Sequence, residues 1–107
     1  MRVDDLDQIV SSFPAVTKEP HHDKDSYRVV GKIFATVTPD QSRVNVFVPN
    51  EYIDDAVEEG QGSVEELWWG KKLSGVKVTL KDADQAQVAD LLHLAWTAKA
   101  PKRLIPG

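Results

Sequence analysis

The sequence contains no cysteine among its 107 residues. This absence excludes disulfides, thiol nucleophiles and zinc sites built on cysteine, and it fits the reducing cytosol. The sequence also lacks any apolar run near the ~20 residues of a membrane-spanning helix. The first residues, Met1 to Asp5, lack the apolar segment of a secretory signal peptide. We therefore expect a single cytoplasmic domain over residues 1–107, without membrane association.

Charge is unevenly distributed along the chain. The net charge is −4, which argues against bulk packaging of nucleic acid. Residues 71–107 contain seven Lys or Arg and three Asp or Glu, whereas residues 1–70 contain six and fourteen. The C-terminal third therefore carries +4 and the remainder −8. A candidate anion-binding segment thus lies within an acidic protein.

Three segments have the periodicity of amphipathic helices. The first starts at Asp4 or Asp5 and runs to about Phe13, where Pro14 follows. The second is a short acidic helix over residues 51–59, and we expect Asn50 to cap it. The third starts near Asp82 or Asp84 and runs to about Ala98. The apolar stripes of the first and third helices comprise Leu6, Ile9, Val10 and Phe13, and Val88, Leu91, Leu92, Ala95 and Trp96.

Alternation of apolar and polar residues predicts strands over residues 28–37, 43–48 and 72–80. The turn Pro39–Ser42 joins the first two into a hairpin. The alternation places Val29, Gly31, Ile33, Ala35, Val37, Val44, Val46, Val48, Val76, Val78 and Leu80 inward, and Arg28, Val30, Lys32, Phe34, Thr36, Arg43, Asn45 and Phe47 outward.

Two further segments have weaker strand signals. Residues 16–23 are interrupted by Pro20, which cannot donate to a ladder. Residues 64–69 fit either a helical turn behind a capping box at Ser63 or a strand, and we favour the strand.

This order of elements predicts an α+β fold of two layers, α-β-β-β-α-β-β-α, with an antiparallel sheet, helices on one face and the other face partly open. We expect one core to contain Val44, Val46, Val48, Val76, Val78, Leu80, Leu92 and Trp96.

Several short motifs occur in the order and spacing of a known family. They are Phe13-Pro14, Tyr27-Arg28-Val29, Gly31-Lys32-Ile33-Phe34-Ala35, the strand Gly75–Leu80, Ala95-Trp96 and Ala100-Pro101-Lys102-Arg103-Leu104. In these the chain resembles the MmcQ/YjbR family of small bacterial proteins, over nearly its whole length. The resemblance implies a two-layer fold similar to that of secretion chaperones. It also implies DNA binding, for which a double-wing mode is proposed in the family, and it implies no catalytic residues.

The predicted open sheet face is the best candidate for a functional surface. Its cations and aromatic side chains suit phosphate contacts and base stacking, and the Lys71-Lys72 link and Lys102-Arg103 tail add charge. The alternative is a solvated face with ordinary cross-strand pairs. At least one of Trp68 and Trp69 is expected to be partly exposed if they lie on a strand, but packing under the last helix is favoured over a binding role for it. The candidate nucleic-acid-binding residues are Arg28, Lys32, Arg43, Phe47, Trp69, Lys71, Lys72, Lys77, Lys102 and Arg103.

Other patterns do not indicate chemistry. His21 and His22 are consecutive, so on a strand their imidazoles would point to opposite faces, and we expect no metal site. His93 lies off the apolar stripe of the last helix and is expected at the surface. We therefore predict no enzyme activity and no cofactor. The rival function is a protein-interaction module, which would bind a polypeptide through an exposed Trp or the acidic run of residues 51–66. We expect a monomer or a weak dimer.

Overall fold

The computed structural model describes residues 1–105 and contains three α-helices and six strands within that range. None of its helices is both long enough and apolar enough to cross a lipid bilayer. The helices are α1 (Val3–Ser11), α2 (Ile53–Gly60) and α3 (Gln85–Lys99). The strands are β1 (Val16–His21), β2 (Lys24–Val29), β3 (Lys32–Val37), β4 (Arg43–Val46), β5 (Val64–Trp69) and β6 (Lys72–Thr79).

All six strands form one antiparallel sheet in the order β1-β2-β3-β4-β6-β5. Helix α3 packs on β3 and β4, α2 packs on β5 and β6, and α1 packs on α3. The helices therefore cover one face of the sheet. This is the predicted α+β fold in two layers, with β1 and β5 as the edge strands.

The sheet has one strand more than expected before α2. The segment predicted as one strand over residues 28–37 is a hairpin, because Val30 and Gly31 form a turn between the paired residues Val29 and Lys32. Both turn residues have positive φ, 48° and 79°, as two-residue hairpin loops of the primed type require. The alternation of side chains continues through this turn, so the sequence pattern gave no sign of it.

A β-bulge in β3 changes which side chains face the helices. Tyr27 pairs with Ala35, but Arg28 pairs with Ile33, so Phe34 is an extra residue with no partner on β2. Beyond a bulge the alternation of a strand is shifted by one residue. Phe34, expected outward, is fully buried in the core, and Ile33, expected inward, lies on the opposite face. The predicted orientation of these two side chains was wrong.

A single core lies between the sheet and the helices. All eight residues expected to share it are buried in one cluster, which confirms that prediction. Two hydrogen bonds fix helices against it. The buried Gln87 Nε2 donates to the carbonyl oxygen of Ala56, which ties α3 to α2. Trp96 Nε1 donates to the carbonyl oxygen of Pro14 at 3.1 Å, which ties α3 to the chain segment after α1.

The helix ends differ from prediction by a few residues. Helix α1 begins at Val3, where the Arg2 backbone N–H donates to the Asp5 carboxylate at 2.8 Å. Asn50 does not cap α2 but starts a 3₁₀ turn that precedes it. Asp84 caps α3, since its carboxylate accepts the backbone N–H of Ala86 at 3.1 Å. The segment of residues 64–69, favoured as a strand, is strand β5.

Replacing Trp96 with alanine should lower the free energy of unfolding by roughly 3–5 kcal/mol, because the indole is 2% exposed and its cavity would lie in the centre of the core. Urea denaturation measures the loss. Trp68→Ala is the matched control, since Trp68 is 48% exposed and should cost less than about 1 kcal/mol. A loss below about 1 kcal/mol for Trp96→Ala would contradict the packing.

The fold should also weaken above pH 10 through Tyr27. Burial, followed by the hydrogen bond to Asp7 at 2.7 Å, raises the pKa of Tyr27 above its ordinary value. The unfolded chain therefore releases this proton near about pH 10 while the folded chain keeps it, so stability is present below that pH and falls above it.

Urea midpoints between about pH 8 and 11 measure this effect. Tyr27→Phe should flatten the alkaline decline, whereas Tyr52→Phe, which changes a 40% exposed side chain, should leave it as it is. Equal slopes in the unmodified protein and Tyr27→Phe would show that the Tyr27 proton does not contribute.

Candidate nucleic-acid interface

The sheet face opposite the helices, termed the open face below, is defined by the strand register. Side chains of directly paired antiparallel residues point to the same face. Thr36 pairs with Asn45, and Asn45 pairs with Lys77, whereas the neighbouring pairs of valines are buried in the core. The open face includes Arg28, Ile33, Thr36, Arg43, Asn45, Phe47, Trp69, Lys72 and Lys77, and by the same register Ser26, Glu65 and Thr79.

A groove of about 560 Å³ lies across this face. Its volume is within the range of roughly 300–1,000 Å³ typical of ligand sites. The β1–β2 turn, the middle of the sheet, the start of β6 and the C-terminus of α3 all contribute to it. The lining consists of residues 21–24, Ile33, Thr36, Asn45, residues 47–50, Trp69, residues 72–74, Ala98 and Lys99.

An aromatic pair lies in the groove. Trp69, at the end of β5, is 60% exposed, and its ring meets that of Phe47 edge to face with 5.2 Å between centroids. Lys72 pairs with Trp69 across the β5–β6 turn and lines the same groove. Ser74 is an extra residue in β6, since Leu67 pairs with Gly75 and Trp68 with Leu73. Trp68 and Trp69 are both exposed, so neither packs under α3.

Asn45 and Thr36 form a polar pair at the middle of the groove. The Asn45 Nδ2 donates to Thr36 Oγ1 at 3.1 Å, and both side chains are buried. The Asn45 Oδ1 is buried and has no hydrogen-bond partner. An amide oxygen can accept two hydrogen bonds, and leaving one unpaired in a buried site costs free energy. Asn45 was expected outward but was not among the candidate binding residues.

Only some of the Lys and Arg side chains predicted to bind nucleic acid lie together on the open face. Arg43 and Lys77 lie on the open face, and Arg28 lies there with its guanidinium bonded to Ser26 Oγ and to the Pro20 carbonyl oxygen. Lys32 pairs with the buried Val29, so it belongs to the side of the sheet that carries the helices. The turn at Val30–Gly31, which pairs Lys32 with Val29, and the bulge at Phe34 are together the reason for this change.

The other predicted cations lie at the margin. Lys71 is exposed in the turn between β5 and β6. Lys102 and Arg103 are exposed in a 3₁₀ turn after α3 and do not line the groove. Lys24 and Lys99 do line it, although neither was among the predicted binding residues. Lys99 is basic in the last turn of α3, which was the one available signal.

Acidic side chains limit the positive field. Glu65 on β5 pairs with Lys77, and Asp23 lines the groove. Asp40 lies in the turn next to Arg43. Hydrogen bonds from the Ser42 hydroxyl and backbone N–H lower the pKa of Asp40 to about 2, so its charge persists across the ordinary pH range.

The histidines differ from expectation. His22 is in the β1–β2 turn with φ of 57°, so its ring does not diverge from that of His21, and the two centroids are 4.6 Å apart. The prediction that they point apart was wrong, because only His21 belongs to a strand. Among residues 1–105 no group of three His, Asp or Glu side chains could hold a metal ion. His93 is exposed and contacts Phe13 and Trp96.

The fold and the groove define a class of small α+β protein with a sheet that is covered on one face and presents cations, an amide and aromatic rings on the other. The chain belongs to the YjbR family, since the model of that family matches residues 11–98. This confirms the resemblance drawn from the short motifs. A search of the curated proteins finds no match to the chain.

Gly75 allows the close approach of β6 to the end of β4. A Cβ on Gly75 would collide with the Val46 carbonyl oxygen and lie 3.0 Å from the Phe47 Cα. Gly75→Ala should therefore lower the free energy of unfolding by about 1–3 kcal/mol, as overpacking does. Urea denaturation checks this, with Ser74→Ala as the neighbouring control. An unchanged midpoint for Gly75→Ala would contradict the close packing.

Proposed function

We propose that the protein binds nucleic acid weakly, through phosphate contacts made by the open face and its margin. The proposal rests on the surroundings of Trp69. Its ring is 60% exposed and meets the Phe47 ring edge to face, and Lys72 is its partner on β6. A lysine beside an exposed aromatic ring can contact a phosphate while the ring stacks on the neighbouring base. Lys71 lies in the adjoining turn, and Lys77 and Arg43 add positive charge further along the open face.

The distribution of charge along the chain determines how tightly we expect the protein to bind nucleic acid. Residues 1–70 contain fourteen Asp or Glu against six Lys or Arg. These carboxylates repel a phosphate backbone within about a Debye length. We therefore expect dissociation constants of roughly 10⁻⁴–10⁻⁶ M at physiological salt, as for nonspecific contacts.

We also propose that the protein binds without catalysing a reaction, that it acts in the cytoplasm, and that it is a monomer or a weak dimer. Within residues 1–105, the hydroxyl and imidazole groups at the groove do not form a nucleophile–base pair: the Ser74 hydroxyl donates to the Lys72 carbonyl oxygen instead. A double-wing mode would use two projecting hairpins, and the β1–β2 and β5–β6 hairpins both contribute to the groove. We propose these two as the wings.

The second candidate is a protein-interaction module, favoured by one specific observation. Strand β5 is an edge strand, and its two consecutive tryptophans are 48% and 60% exposed. An extended peptide could pair with this edge and use an indole as an anchor. Such binding would change little with salt, whereas phosphate contacts weaken steeply.

Titration of fluorescein-labelled DNA, followed by anisotropy between about 50 and 200 mM salt, tests the proposal. The double variant Lys71→Glu with Lys72→Glu should abolish binding, and the single variant Lys72→Glu should weaken it and lower the salt slope by roughly one unit. Lys81→Glu is the matched control for the single variant, because it changes the net charge equally and lies beyond the opposite end of β6.

Equal losses in Lys72→Glu and Lys81→Glu would show that net charge alone, and not this face, determines binding. No binding of DNA at about 50 mM salt, where such contacts are strongest, would contradict the proposal and favour the interaction module.

A further inference from the structure

Within residues 1–105, the amide oxygen of Asn45 is the one buried side-chain polar atom without a hydrogen-bond partner, and Asn45 lines the groove. Its residue is 7% exposed, and Thr36 takes the amide nitrogen. Turning the amide over would pair its oxygen with the Thr36 hydroxyl and leave the nitrogen unpaired instead. A buried amide atom without a hydrogen-bond partner lowers the stability of the fold unless a ligand bonds to it.

The groove around Asn45 has the other parts of a site for a flat, anionic ligand. Phe47 is two residues further along the chain and meets the exposed ring of Trp69. Lys24, Lys72 and Lys99 line the groove against a single carboxylate, Asp23. The groove thus combines an aromatic surface, an amide acceptor and excess positive charge, and His21 and His22 also line it.

We propose that this groove binds one unpaired base of a single-stranded nucleic acid. The base stacks on the Trp69 ring, its exocyclic amino group donates to the Asn45 oxygen, and lysines of the groove contact the adjoining phosphates. Bases in a duplex are stacked and paired, so the groove cannot receive them without opening the duplex. This inference rests on the proposed function and adds strand type and base preference to it.

The donor requirement distinguishes two pyrimidines of similar size and equal backbone charge. Cytosine has an amino group at C4, where thymine has a carbonyl oxygen. An acceptor at Asn45 therefore favours cytosine, by about three- to tenfold for one neutral hydrogen bond. The opposite preference, for thymine, would show that the amide presents its nitrogen to the ligand and would overturn the assignment.

The experiment compares oligo-dC, oligo-dT and a duplex of equal length by anisotropy at one salt concentration. We expect oligo-dC to bind tightest and the duplex weakest. Asn45→Leu, which keeps the branched shape but has no polar atoms, should remove the preference for oligo-dC, while Gln8→Leu on α1, which also loses one amide, should keep it. Since a buried substitution can unfold the protein, Trp69→Ala gives a second test on an exposed side chain.

Trp69→Ala should weaken binding of single strands by about fivefold or more, the effect of losing one stacked base. Trp68→Ala is its control, because Trp68 is exposed but does not line the groove. Duplex binding as tight as that of single strands, with no effect of Trp69→Ala, would overturn the inference but leave the proposed function standing.

Two other outcomes are distinct from that one. No binding of any DNA at low salt would contradict the proposed function itself. Free cytidine monophosphate that binds as tightly as oligo-dC would overturn the assignment to a strand, because the adjoining phosphates would then contribute nothing.

Discussion

One extra residue in β3, Phe34, connects the core of this protein to its open face. Its ring is fully buried among the core residues, 6.4 Å from the ring of Tyr27. Its carbonyl oxygen accepts the backbone N–H of Phe47 at 3.0 Å, just beyond the end of β4. The bulge thus fixes both the register of the sheet centre and the position of the ring that meets Trp69. Packing at Phe34 is therefore the constraint on which the groove depends.

The helices and most strands could be predicted because their signals are local. The stripe of α3 follows the helical period, and its cap, Asp84, is of the residue type that favours such positions. Strand β4 and the part of β6 after its extra residue Ser74 alternate without interruption, so their inward valines were assigned correctly. Each of these elements buries one face, and the periodic recurrence of apolar residues in the sequence predicts which face is buried.

The details of the open face could not be predicted because they depend on pairing between strands. A bulge adds one residue without altering the composition of a strand, and only the partner strand shows that Phe34 is extra. The turn at Val30–Gly31 was also missed, since Val30 is β-branched and has φ of 48°, a conformation that such residues seldom adopt. Because of the turn and the bulge, Lys32 lies on the side of the sheet that carries the helices, and Ile33 lies on the open face. Both positions are the reverse of the prediction.

We propose that nucleic acid binds in the groove on the open face. The most direct test follows backbone amide and indole NMR signals during addition of single-stranded DNA. If nucleic acid binds there, the largest shifts should occur at Thr36, Asn45, Phe47 and the Trp69 indole, with little change in α1. Shifts confined to Trp68 and helix α2 would contradict the proposal.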